Sequence, residues 1–250
     1  MFPVPIIAFV FGTIYGSFLN VLLWRLPEGK GVGGRSHCRN CQHQLVWSDL
    51  IPILSFVILR GKCRYCHEPI HIRYPLVEIT TGTVLALFFA LRQPILSLEV
   101  TITVFALLIL VSLLFFDLFY LILPDVLLLP TIIIFVIYNI VKISNPLPYF
   151  LTALLSAGFF AILYGVSRGK SLGFGDVKLA FLIGLILGYP LGFLAIFGGV
   201  WLATITAVIL LILKKVGLKD KIPLGSFLTL STIICIIFYY EILPLTIFFR

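Results

Sequence analysis

An all-α polytopic membrane protein, with about eight transmembrane helices and a small zinc-binding cytoplasmic insert, is the fold class this sequence predicts. Three observations carry that prediction. The 250 residues are 61% hydrophobic and 11% charged, with a mean hydropathy of +1.17, whereas a soluble domain is about 25% charged. The apolar residues fall into about eight runs, separated by short polar joints, and a helix crossing a bilayer needs roughly 20 such residues. The one long polar stretch holds four of the five cysteines, in two Cys-x-x-Cys pairs.

The first predicted helix runs from Pro3 to Trp24, and its small residues Gly12, Gly16 and Ser17 allow a neighbouring helix to come close. No Lys or Arg precedes its apolar core and no small-residue cleavage site follows, so this helix is expected to stay rather than leave as a signal peptide. The polar insert spans 25–74 and opens with glycines from Gly29 to Gly34, spaced too irregularly for a phosphate loop. Beyond it, a membrane core over 75–250 is predicted to hold helices at Pro75–Leu91, Leu98–Phe116, Val126–Val141, Tyr149–Val166, Val177–Gly188, Pro190–Leu213 and Gly225–Phe249. Gly188-Tyr189-Pro190 marks a very short joint between two of them.

The formal charge of +8 is distributed as a topology signal. With the amino terminus outside, 15 of the 18 Lys and Arg fall on the cytoplasmic side, leaving Arg92, Lys142 and Arg250 outside. This distribution argues against nucleic acid as a partner and suits contact with anionic membrane lipid. It also puts the cysteine insert in a reducing compartment, where disulfides are disfavoured.

Cys38 and Cys41 form one pair and Cys63 and Cys66 the other, with residues 42–62 between them. Two close thiolates from each of two turns complete a tetrahedral shell, the spacing of a structural zinc site. The rivals are a mixed shell drawing on His37, His43, His67 or His71, and a redox-active pair. A closed four-sulfur shell leaves no position for water, so this zinc would hold the insert together without catalysing. A segment of this size buries little core, and metal binding would supply much of its folding free energy. Cys235, alone in the last helix, reads as packing.

Two acids stand out. Asp117 ends the apolar run 100–116, and Asp176 follows Gly173-Phe174-Gly175 at the start of another helix. An acid at a membrane edge is costly and marks a functional candidate. Two such carboxylates brought together would share a proton, one acting as base while the other donates. The bland alternatives are a solvated helix end for Asp117 and N-caps for Asp176 and Asp125. Gly173 and Gly175 would permit positive φ and the close approach of an extended substrate, and Pro124 would break the chain beside Asp117. Lys178 would either tune Asp176 or serve topology, and Glu78, Glu99 and Glu241 have no assigned role.

These residues together resemble the bacterial type IV prepilin peptidases, the leader peptidase/N-methyltransferases of the GxGD group of intramembrane aspartic proteases. The resemblance rests on Gly16-Ser17-Phe18-Leu19-Asn20-Val21, Arg35-Ser36-His37-Cys38, the spaced cysteine pairs, Asp49-Leu50-Ile51-Pro52, Arg73-Tyr74-Pro75-Leu76-Val77-Glu78, Asp117 six residues before Pro124-Asp125, and Gly173-Phe174-Gly175-Asp176-Val177-Lys178-Leu179. It implies that Asp117 and Asp176 are the catalytic pair, with Gly173, Phe174, Gly175 and Pro124 around the substrate groove. It further implies cleavage of the basic leader of prepilins or pseudopilins after a Gly at the cytoplasmic face of the bacterial inner membrane. S-adenosylmethionine-dependent methylation of the new amino terminus is implied as well, associated with the cysteine-bearing insert. The sequence places no cofactor residues and no oligomeric state. The alternatives are a proton-coupled transporter, which would want acids buried mid-helix, and a secretion-system scaffold with a structural zinc loop.

Overall fold

The computed structural model describes residues 3–93, 97–169, 172–217 and 220–238. The chain divides into two compact units, Met1–Leu108 and Ile109–Arg250. The described residues form helices α1 (Pro3–Arg25), α2 (Leu54–Ile58), α3 (Arg73–Arg92), α4 (Leu98–Tyr120), α5 (Asp125–Lys142), α6 (Leu147–Ser167), α7 (Phe174–Leu187), α8 (Leu191–Ile212) and α9 (Leu224–Ile237), with a 3-10 turn at Trp47–Leu50. They contain no strand, only two isolated bridges, both in the insert.

All eight predicted apolar runs are helical over their described residues except the end residues Gly188, Pro190, Leu213 and Phe238. Six of them, α1, α3, α4, α5, α6 and α8, are long and apolar enough to cross a membrane. α7 and the described part of α9 have 14 residues each, about 21 Å at 1.5 Å per residue and short of a bilayer core of about 30 Å. The predicted end of the last span, with Glu241, lies outside the described residues.

In the first unit, α1 and α3 pack through the small residues the sequence marks. A Cβ on Gly12 would stand 2.7 Å from the Gly82 Cα, and one on Gly16 2.7 Å from the Glu78 Cα. Without a hydrophobic force between helices in lipid, such backbone proximity is what holds them. The Asn20 amide adds a hydrogen bond to the Tyr74 carbonyl at 3.1 Å. Arg25, buried at the end of α1, donates to the carbonyls of Val32 (2.7 Å), Gly33 and Arg35 (3.2 Å), folding the glycine-rich lead-in back onto the helix.

The insert is built as two copies of one turn, offset by 25 residues. In the first, the Cys38 N–H donates to the His43 carbonyl and the Gln42 N–H to the Cys38 carbonyl; in the second, Cys63 pairs with Glu68 and His67 with Cys63 in the same pattern. Gln42 and His67 each take φ +58° at the equivalent point. In sequence the repeat is short, with Arg35, Cys38, Arg39 and Cys41 recurring as Arg60, Cys63, Arg64 and Cys66 while the residues between them differ. The imidazole of His43 stacks on Tyr65 at 3.6 Å between centroids, and Arg64 pairs with Asp49 at 2.7 Å, joining the second turn to the 3-10 turn.

In the second unit, small residues again set the packing. Gly184 of α7 meets the backbone of Ala153 in α6, and a Cβ on Gly199 of α8 would lie 2.7 Å from the Leu228 Cα in α9. The buried Asn139 amide of α5 donates to the Leu185 carbonyl of α7 at 2.9 Å.

Candidate functional site

Asp117 and Asp176 line one open pocket of 450 Å³, together with Leu123, Asp125, Gly173 and Lys178. Asp117 comes from the last turn of α4. It is 6% exposed, and its Oδ2 accepts two hydrogen bonds from Ser226, from the backbone N–H at 2.6 Å and from the hydroxyl at 3.0 Å. Gly225 permits this approach, since a Cβ there would stand 3.1 Å from the Asp117 carboxylate. Charge-assisted hydrogen bonds are the strong ones, and two on one oxygen hold the carboxylate in a single rotamer.

Asp176 sits in the first turn of α7, three residues after the N-cap Gly173, whose N–H donates to the Asp176 Oδ2 at 3.1 Å. The acid therefore reaches back over the helix start in the manner of half a capping box, where the sequence had suggested an N-cap. Asp176 is less deeply buried than Asp117 and lines the same pocket.

The neighbouring residues differ from expectation in instructive ways. Asp125 is the first residue of α5 rather than its N-cap, which is Pro124. Its carboxylate pairs with the Lys178 ammonium across the pocket, so Lys178 is committed to Asp125 and not to Asp176. The helix break expected beside Asp117 falls at Leu121, with φ +56°, before Pro124. Gly173 has φ −80° and Gly175 is helical, so neither takes the positive φ that the sequence suggested. Gly175 serves close approach instead, because a Cβ there would meet the Leu123 side chain at 3.0 Å. Phe174 is 54% exposed with its edge against Tyr164, at 5.6 Å between centroids.

Ser226 and Gly225 are the residues that sequence reasoning passed over. They open the last helix directly after Pro223 and Leu224, and a small pair at a helix start is common. The available signal was that the N–H groups of a first helical turn lack partners within the helix and seek an anion.

The four insert thiols are the second chemical group. Their Sγ atoms all lie within 4.8 Å of one another, and Cys38 and Cys66 are 3.8 Å apart. A tetrahedral ion with bonds of about 2.3 Å places sulfurs about 3.8 Å apart, so the cluster has the dimensions of a zinc shell. The Glu68 amide beside Cys66 brings its thiol down to about 7. The His43 amide favours the Cys41 thiolate, but desolvation and the neighbouring thiols push Cys41 up to about 11. Four crowded thiols ionise together only around a cation.

A pair of carboxylates facing one pocket, on a bundle of membrane-length helices, defines a polytopic membrane protein equipped for acid–base chemistry. Comparison with known proteins takes this further. Residues 10–92 match the Bacterial Peptidase A24 N-terminal domain, and residues 102–212 match the Type IV leader peptidase family. A "Prepilin leader peptidase/N-methyltransferase" of Klebsiella pneumoniae is 34% identical over 194 residues, covering 72% of this chain and 84% of the relative. Proteins of the same name from Legionella pneumophila and Bacillus subtilis (strain 168) are 32% and 27% identical, over 90% and 93% of this chain and 88% and 93% of theirs. No solved structure matches the chain. The chain belongs to the type IV leader peptidase family.

Proposed function

We propose that this protein is a prepilin leader peptidase and N-methyltransferase of the bacterial inner membrane, removing the basic leader of prepilins or pseudopilins after a Gly and methylating the new amino terminus. The observation that carries the peptidase reading is the meeting of Asp117 and Asp176, from two different helices, in one pocket. Both acids stand at helix ends, the last turn of α4 and the first turn of α7. That position favours a peptidase over a proton relay, which wants acids within the bundle.

In this reading the pair shares one proton. The ionised member takes a proton from water as it attacks the scissile carbonyl, and the protonated member gives its proton to the carbonyl oxygen; the tetrahedral intermediate then breaks its C–N bond as the first acid protonates the departing amine and a hydroxyl proton returns to the second, which restores the pair. Ser226, donating twice to Asp117, suits Asp117 to the ionised role and leaves the more accessible Asp176 as the donor. Phe174 and Gly175 border the groove for the substrate, and the backbone of Ile122 and Leu123, outside the flanking helices, is the stretch that would pair with it. The charge asymmetry supports a cytoplasmic location for this pocket and for the insert.

Cys38, Cys41, Cys63 and Cys66 would hold a structural zinc ion. S-adenosylmethionine would supply an electrophilic methyl group to the amine exposed by cleavage. The relatives' shared name supports that second activity. The test is to present a prepilin with a Gly–Phe junction to membranes containing the protein and weigh the product. The reading expects loss of the leader and, with S-adenosylmethionine added, a further gain of one methyl mass. A product that keeps its leader refutes it.

A further inference from the structure

A second cavity, of 280 Å³, lies wholly in the first unit, between α1, the start of α3 and the insert. Its size is near the lower bound of small-molecule clefts, roughly 300 Å³. The peptidase chemistry uses none of it. One of its walls carries Glu78, which is 7% exposed and accepts a hydrogen bond at 2.7 Å from the Ile53 N–H and another from the Ser17 hydroxyl. Among the described residues no Lys, Arg or His nitrogen pairs with this carboxylate. A buried carboxylate without a cation is expensive, which leaves this position receptive to a positively charged ligand.

Another part of the lining is aromatic. The Arg39 guanidinium lies over Trp24 and Tyr74, at 4.9 Å and 5.7 Å from the ring centroids. Stacking of this kind holds the guanidinium plane and leaves its N–H fork for a carboxylate. Phe56 and Leu59 add apolar surface. The cavity therefore offers a buried acid without a cation, an anion-binding fork and an apolar wall in one enclosure.

We propose that this cavity binds S-adenosylmethionine, with Glu78 opposing the positive charge of the methyl donor, Arg39, held over Trp24 and Tyr74, meeting its carboxylate and the Phe56–Leu59 surface accepting its base. The proposal rests on the methyltransferase reading above and adds the residues that carry it. Cys38 and Cys63 also line the cavity, so the metal-held insert forms part of its wall.

The experiment uses the full chain, zinc-loaded in detergent micelles, and measures equilibrium binding of S-adenosylmethionine and of S-adenosylhomocysteine, which lacks the sulfonium charge. The parent prefers the charged ligand. In Glu78→Gln the amide oxygen still accepts the Ile53 N–H, so the proposal expects S-adenosylmethionine affinity to fall about thirtyfold while S-adenosylhomocysteine affinity barely moves. Arg39→Gln weakens both ligands. Zinc content and melting temperature report whether each variant is folded. Independently of any variant, light-driven crosslinking of labelled S-adenosylmethionine to the parent marks peptides within residues 17–78. Retention of the parent's ligand preference by a folded Glu78→Gln protein, or a label mapped elsewhere, overturns the site while a methylated parent product keeps the methyltransferase reading. A parent that neither binds these ligands nor methylates its cleaved product removes that reading and the site with it.

Discussion

Ser226→Ala isolates one hydrogen bond at the peptidase pocket. The side chain donates its single proton either to Asp117 Oδ2 at 3.0 Å or to the Leu114 carbonyl at 3.1 Å, while the backbone N–H holds Asp117 at 2.6 Å in either case. A hydrogen bond to a charged group contributes about 1.5–3 kcal/mol. Because the hydroxyl divides its time between two acceptors and the amide persists, the lower figure applies. The expected loss in kcat/KM for leader cleavage is about tenfold, from 1.4 kcal/mol per decade. Ser226→Thr keeps the hydroxyl and recovers most of the rate. The assay is initial-rate cleavage of a prepilin in detergent micelles, with protein levels matched. Parent-like rates in Ser226→Ala would show that the hydroxyl does not position Asp117. A variant as inactive as one lacking the Asp117 carboxylate would show that the amide contributes nothing alone.

Three further expectations follow from the packing and the insert. Cys38→Ser should abolish stoichiometric zinc, read by metal analysis, and open residues 25–74 to protease, because the thiol cluster supplies what the small core cannot; bound zinc and an intact insert would contradict it. Gly16→Ala forces a methyl group to 2.7 Å from the Glu78 backbone, an overpacking cost of about 1–3 kcal/mol, visible as a lower unfolding temperature in detergent. Lys178→Met breaks an ion pair whose Asp125 side chain is 56% exposed, so stability should change by less than about 1 kcal/mol; a larger loss would make the pair structural.

Much of this architecture was legible because its determinants are local. Span positions follow from apolar runs, the α1–α3 contact from Gly12 and Gly16, and the thiol cluster from cysteine spacing. Asp117 and Asp176 stood out because acids at the ends of such runs are costly. The remainder depends on which helix ends meet. Ser226 is 109 residues from Asp117, and Lys178 is 53 from Asp125, separations that no sequence period encodes. Gly173 and Gly175 illustrate a different limit: glycine signals either unusual φ or close approach, and the sequence alone does not distinguish them. The paired turns of the insert were hard to see because their backbone pattern repeats while only two arginines and the cysteines recur among their side chains.

The central claim is that Asp117 and Asp176 act as one pair, and cleavage of a Gly–Phe prepilin by Asp117→Asn and Asp176→Asn membranes tests it most directly. Asn keeps the size of each side chain and removes its acid–base capacity. With both variants present at parent levels, the account predicts no leader-free product from either. Normal cleavage by either one would contradict it.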